Sequence, residues 1–237
     1  MLTPWDDYLI HQTAETMDTA ASDDPRFFDR LYFGVYDREG QFLLVSGLGA
    51  YPNTRVMDGY VVVVHSHVQR NLRLSRRLPP DRADTSIGPL SFHILEPHKR
   101  WALELAPNRS QVSFSLEYQA KAVPYQVKKI VTPQSTGGAT AFSHFFQPGR
   151  YRGSVKIGRD EFQGEGFMGV RDRSWGVRSA VERMGIHFWV QAQFSQFCLS
   201  LYYSESRGHV PTYLDGAIFQ NSGEVVPVVG LRHRVHF

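Results

Sequence analysis

Two short segments bring together side chains that could do acid–base chemistry: His187 to Gln193, and Tyr213-Leu214-Asp215. In an extended strand, successive side chains point to opposite faces. His187, Trp189, Gln191 and Gln193 therefore share one face, and Ile186, Phe188, Val190, Ala192 and Phe194 share the other. A base, a large aromatic and two amides suit a pocket that places an apolar body and fixes its orientation. The competing reading is a face turned to solvent, and Trp189 counts against it because large aromatics are mostly covered. By the same parity Tyr213, Asp215, Ala217 and Phe219 share a face, with Tyr213 and Asp215 as its polar pair; the plainer alternative makes Asp215 a turn residue beside Gly216.

A second cluster lies between Gly164 and Gly176, where glycines bracket Arg171, Asp172, Arg173, Ser174 and Trp175. If buried, each of these charges needs a partner. One reading is a structural latch, with Asp172 held by Arg171 or Arg173 and Trp175 plugging a barrel end. The other is a catalytic Asp172. The latch ranks first, because ion-pair networks perturb carboxylates without any catalysis. His65-Ser66-His67 would put two imidazoles on one strand face, but a third ligand from His11, His93 or His144 would be needed, so no metal is expected. Gly47 to Asn53, with Asp58-Gly59-Tyr60 behind it, reads as turn chemistry ahead of a ligand-contacting rim. Cys198, between Phe197 and Leu199, reads as core rather than nucleophile.

The elements that must position these residues are strands. Residues 1 to 30 form an acidic, irregular lead-in that should pack across a sheet, with a short helix expected around Asp7 to Met17. Leu31 to Val35 and Phe42 to Val45 flank Asp37-Arg38-Glu39-Gly40, a hairpin pattern. Val61 to Val64, Ser91 to Leu95, Trp101 to Leu105 and the alternating Val112, Phe114, Leu116 and Tyr118 continue a series of short strands, which means a sandwich or barrel. Pro133 to Thr140 reads as a flexible loop, and a second all-β stretch runs from Tyr151 onward. Leu231 to Phe237 alternates like a strand without a partner, which suggests a chain that continues beyond Phe237.

Asp172-Arg173-Ser174-Trp175-Gly176, followed by Phe188-Trp189-Val190-Gln191-Ala192-Gln193-Phe194, resembles the signature linking the two halves of the AttH-like and CrtC-like proteins of the calycin superfamily. Gln147-Pro148-Gly149 and Tyr151-Arg152-Gly153 fit the same register. That group includes carotenoid 1,2-hydratases and tocopherol cyclases. The resemblance implies an all-β, lipocalin-like antiparallel barrel or sandwich: an N-terminal domain over residues 1–178 and the truncated start of a similar second domain over 179–237. His187-Phe188-Trp189 and Tyr213-Leu214-Asp215 resemble the His-x-Trp and Tyr-x-Asp strands proposed to carry acid–base chemistry in carotenoid hydratases. The resemblance thus makes Asp215 the candidate acid that protonates an alkene, a role needing a carboxyl that keeps its proton near neutral pH. It makes Tyr213 or His187 the group that holds water or receives the final proton, and Trp189 the indole that stabilises a carbocation. The implied function is a cofactor-independent hydratase, cyclase or isomerase acting on an apolar isoprenoid-like or polyketide-like molecule. The alternative is a non-catalytic carrier of a lipid or other small ligand in the same pocket.

Composition narrows the remaining classes. The chain has 26 Lys and Arg against 23 Asp and Glu, a net +3. It has no basic run: Arg70 to Arg77 alternates with Asn71, Leu72, Leu74 and Ser75, so a nucleic-acid partner is not expected. A single cysteine cannot form an internal disulfide, which points to a reducing compartment and by default the cytoplasm. The N-terminus lacks the charged and apolar regions of a signal peptide, and no stretch approaches the roughly 18 apolar residues of a membrane span. Transient contact with a membrane to collect an apolar ligand stays open, though no amphipathic basic helix argues for it.

Overall fold

The computed structural model describes residues 1–133, 139–178 and 184–235. The chain divides into two compact units, Met1–Arg178 and Ser179–Phe237. Among the described residues helix is confined to two 3-10 turns, Pro4–Asp7 and Pro52–Thr54. The strands of the first unit are β1 (Phe27–Tyr36), β2 (Phe42–Tyr51), β3 (Val56–His65), β4 (Val68–Arg77), β5 (Ser86–Ile87), β6 (Leu90–Glu96), β7 (Arg100–Leu105), β8 (Val112–Ala120), β9 (Tyr125–Gln126), β10 (Ile130–Pro133), β11 (Ala139–Ile157) and β12 (Asp160–Val177). They form one antiparallel sheet in the order β4-β3-β2-β1-β12-β11-β8-β7-β6-β5, with β9 and β10 also on β11.

The sheet curls into a nearly closed, lipocalin-like barrel. Ile87 and Leu90, from the β5–β6 end, reach Gly59 on β3, the second strand from the opposite edge of the sheet. Alternation makes one face of each strand apolar, so closure gathers Leu31, Phe33, Leu48, Val61, Phe92, Trp101, Leu116, Tyr118 and Tyr151 into one core. Strands β11 and β12 run for 19 and 18 residues, longer than the short-strand pattern suggested, and the β11 register shifts between Tyr151 and Gly153. Such a bulge bends a strand, which lets a long one follow a curved wall.

The lead-in crosses the barrel and buries Leu9, Ile10 and Met17 in its core. The helix expected over Asp7 to Met17 is absent, and helix stops at Asp7. The backbone groups a helix would use for itself go elsewhere. Arg173 donates to the Tyr8 carbonyl, Arg82 to those of Ile10 and Thr13, and the Ile10 amide donates to Asp29. Ile10 itself is left-handed, with φ 51°. The centre of the loop expected at Pro133 to Thr140, residues 134–138, lies outside the described residues. On its flanks Ile130 pairs with Phe142 and Pro133 with Ala139.

The second unit is an antiparallel meander of β13 (Met184–Gln193), β14 (Phe197–Ser206), β15 (Pro211–Gln220) and β16 (Val225–Pro227). Phe194 falls just outside β13, is exposed, and packs on Phe197. Residues 231–235, expected as a strand, form none. The Val228 amide donates to the Gly216 carbonyl, beyond which the chain leaves the ladder. His233 then lies 3.2 Å from the Glu205 carboxylate and edge-on to Phe188, so a side-chain anchor replaces strand pairing. The last two residues of that segment are outside the description.

Candidate functional site

Strand β12 carries the charged cluster, and alternation splits it. Arg171 and Arg173 point into the barrel and are fully buried. Arg171 Nη1 lies 2.8 Å from Asp7, its Nε donates to Gln147 at 2.7 Å, and its guanidinium covers Phe145 at 5.1 Å. Arg173 Nη1 lies 2.7 Å from Asp29, and its other nitrogens donate to the Asp6 and Tyr8 carbonyls. Trp175 packs edge-on to His11 at 4.7 Å and beside the Arg173 guanidinium. The two buried ion pairs therefore join Arg171 to Asp7 of the lead-in and Arg173 to Asp29 of β1.

Asp172 is not the partner of either arginine. It points to the opposite face, where its Oδ1 lies 2.5 Å from Nε2 of the buried His144. Tyr32 is its cross-strand neighbour on β1, followed by Gly47 on β2 and Tyr60 on β3. The adjacent row runs His144, Ser174, Arg30, Gly49 and Asp58. Gly47 and Gly49, expected in a turn, lie inside β2, and only Pro52–Thr54 turns. Their lack of a side chain makes room for rings: a Cβ on Gly47 would sit 2.7 Å from the Tyr60 hydroxyl, and one on Gly49 2.7 Å from the Tyr51 hydroxyl. Arg30 Nε donates to the Tyr51 hydroxyl at 3.0 Å. Burial, and then the charge of Asp172, pushes the Tyr32 phenol far above its ordinary range; burial does the same to Tyr60, with smaller contributions from Tyr32 and Asp172. Burial also raises the Asp58 carboxyl, against the opposing charge of Arg30.

In the second unit the four residues singled out from sequence fall on one sheet face in two adjacent rows. His187, Ser204 and Tyr213 make one row; Trp189, Tyr202 and Asp215 make the next. His187 Nδ1 is 2.8 Å from the Ser204 hydroxyl, and Trp189 stacks on Tyr202 with ring centres 5.5 Å apart and planes 6° apart. Asp215 is buried within β15, and its Oδ1 accepts the Gly216 amide at 2.8 Å, so it is no turn residue. Gln191 follows in the row of Ser200 and Ala217, and its amide oxygen accepts the Ser200 hydroxyl. Gln193 shares a row with buried Cys198 and Phe219.

The metal reading loses its geometry at His65. Ser66 and His67 have φ of 49° and 62° and form the two-residue turn between β3 and β4, so the two histidines do not share a strand face. Among the described residues no group of three or more His, Cys, Asp or Glu could hold a metal ion. Sequence reasoning passed over Tyr32, took Tyr60 for part of a turn or a ligand-contacting rim, and weighed His144 only as a metal ligand. The available signal was the glycine alternation opposite tyrosines, which reads as a turn unless the cross-strand register is known.

Known structures share this architecture. An AttH-like protein from Nitrosomonas europaea matches with a TM-score of 0.61 and 11% identity, over 87% of this chain and 69% of that one. Kievitone hydratase from Nectria haematococca matches at 0.56 and 12%, over 84% and 63%. CghA with Sch210972 matches at 0.57 and 14%, over 85% and 59%. At such identities the likeness shows the fold alone, which is an all-β, lipocalin-like one. Residues 2–236 match the model of a family of unknown function (DUF8625), and the chain belongs to that family. A comparison with curated proteins finds no match. Among the described residues no helix is long and apolar enough to cross a membrane.

Proposed function

We propose that the chain provides the acid–base residues of a cofactor-independent hydratase, cyclase or isomerase acting on an apolar isoprenoid-like or polyketide-like molecule. The observation that carries the reading is the pair of adjacent rows, His187-Ser204-Tyr213 and Trp189-Tyr202-Asp215, on one face of the second unit. Asp215 gives a proton to an alkene carbon. The fixed indole face of Trp189 meets the developing cation. Tyr213 or His187 directs water to the cation, with His187 taking the proton that the added water gives up, or takes the proton released on ring closure or double-bond migration. Gln191 and Gln193 orient the ligand's polar end. A solved hydratase among the proteins of the same fold supports the class of chemistry.

The test incubates the protein with a metabolite extract, identifies the product by mass spectrometry, and repeats the assay with Asp215→Asn. That change keeps size and hydrogen bonding but removes the transferable proton. Turnover should fall at least about a hundredfold, with melting and ligand retention unchanged. Equal turnover removes the acid assignment. Ligand retained by the wild type without any product replaces the enzyme reading with a carrier.

A further inference from the structure

The proposed acid–base rows occupy one face of the second unit, and the other face is apolar. There Ile186, Phe188, Val190 and Ala192 of β13 lie beside Leu199, Leu201 and Tyr203 of β14, with Leu214 and Ile218 of β15 beyond them. The charged residue in these rows is Glu205, next to Ile186 and only 3% exposed. Burying a carboxylate on an apolar face costs desolvation that an apolar side chain would avoid, so sheet stability alone does not account for it. Its partners come from three segments. The Tyr203 hydroxyl of β14 donates at 2.9 Å, His209 Nδ1 of the β14–β15 turn lies at 2.8 Å, and His233 Nε2 of the C-terminal segment lies at 3.2 Å. These bonds, His209 first and then Tyr203 and His233, hold the Glu205 carboxyl below its ordinary range, so it is charged at neutral pH. The C-terminal segment has little else to hold it. Val228 makes the last backbone bond to the sheet, and beyond it Val229 is 95% exposed. Among the described residues from 229 to 235, the hydrogen bond and the ring contacts all belong to His233, which meets Glu205 and stands edge-on to Phe188 at 5.1 Å and to Tyr203 at 5.2 Å.

We infer that residues 229–235 form a strap that gates the apolar face of the second unit: Glu205 clasps it through His233, and it lifts while the sheet beneath stays folded. Lifting gives up one charge-assisted bond and two ring contacts. Glu205 then still has Tyr203 and His209, so no buried charge is left without partners. The pairing of β13, β14 and β15 is untouched. A segment with few buried contacts and no ladder of its own opens locally, at a cost far below that of unfolding. Once lifted, His233 no longer covers the rings of Phe188 and Tyr203, and the apolar face is open to an uncharged apolar molecule. The inference concerns the side of the sheet away from Asp215 and stands without its acid assignment.

The test digests the full chain with trypsin under native conditions. Mass spectrometry quantifies cleavage after Arg232 and Arg234, the exposed arginines that flank His233, against Arg159 in the β11–β12 turn of the first unit. Glu205→Gln weakens the clasp without changing the sequence around the cleaved bonds. Cleavage at the two arginines should rise about tenfold relative to Arg159, the size of one lost charge-assisted hydrogen bond, because native-state proteolysis follows the population of the open form. Emission of Nile red, an uncharged apolar dye, should rise in the same variant. Tyr203→Phe keeps the ring and removes a different bond to Glu205, so it should leave cleavage near the wild-type rate. Circular dichroism at the digestion temperature should show the sheet intact in both variants. Equal cleavage in Glu205→Gln and the wild type, an equal rise in Tyr203→Phe, faster cleavage that tracks loss of the sheet signal, or faster cleavage without a gain in Nile red emission would overturn the strap. None of these outcomes bears on turnover by Asp215.

Discussion

Replacing Arg173 with leucine should destabilise the first unit by about 3 to 5 kcal/mol. Both the Arg173 and Asp29 side chains are fully buried, with nitrogen and oxygen 2.7 Å apart. Without the guanidinium, Asp29 keeps the Ile10 amide at 2.8 Å, the Gln12 amide at 3.3 Å and the His11 ring at 3.6 Å, but loses the cation that touches it most closely, at 2.7 Å. The Asp6 and Tyr8 carbonyls lose their donor in the same step, which loosens the lead-in where it crosses the barrel. In a domain of this size each kcal/mol moves the melting temperature by about 2 to 4 °C, so the expected drop is about 6 to 20 °C. Thermal melts followed by circular dichroism would measure it. Adding Asp29→Asn to Arg173→Leu should recover part of the loss, because the stranded charge disappears. A single variant melting within about 2 °C of the wild type, or a double variant less stable than the single, would refute the latch.

Backbone packing makes a separate expectation: a Cβ on Gly169 would fall 1.9 Å from the Gly34 carbonyl oxygen and 2.7 Å from the Tyr151 ring, whereas one on Gly166 meets only Arg150 at 3.9 Å. Gly169→Ala should therefore cost about 1 to 3 kcal/mol or more in a melt and Gly166→Ala almost nothing; equal melting of the two would contradict the β1–β12–β11 packing. Two histidines should titrate in opposite directions by NMR. His65 is raised by the Gln41 carbonyl and then by Asp160, so its contribution to stability is complete below the ordinary value near 6.5 and is lost as pH rises through its folded value. His98 is lowered chiefly by burial, so its contribution is present above that value and is lost as pH falls. Midpoints on the same side of about 6.5 would show one environment to be wrong.

Much of the fold was legible because period-two alternation reports directly on strands. The hairpin around Asp37 to Gly40, the run at Val61 to Val64 and the face shared by His187 and Trp189 all follow from it. Alternation also brought Tyr213 and Asp215 to one face, and the β13–β14–β15 register places the two pairs in neighbouring rows. It could not say which residue pairs with which across the sheet. Asp172 was matched with arginines adjacent in sequence, although adjacency in a strand means opposite faces. Its neighbours are His144, 28 positions earlier, and Tyr32 on β1. The glycines of β2 were taken for a turn because the rings they accommodate come from another strand or from two residues further on. In the lead-in, helical propensity lost to buried side chains that claim its backbone groups from distant strands.

The split of Arg171, Asp172 and Arg173 between two faces has a consequence for how such a protein can change. Sliding β12 by one residue would turn two cations out of the barrel and one anion into it, so the two inner ion pairs hold the strand at a single setting. With the setting held from inside, residues on the outer side can be exchanged one at a time without disturbing the wall they stand on. The interior then works as a fixed frame and the exterior as a replaceable panel, which would allow one scaffold to carry unrelated chemistries.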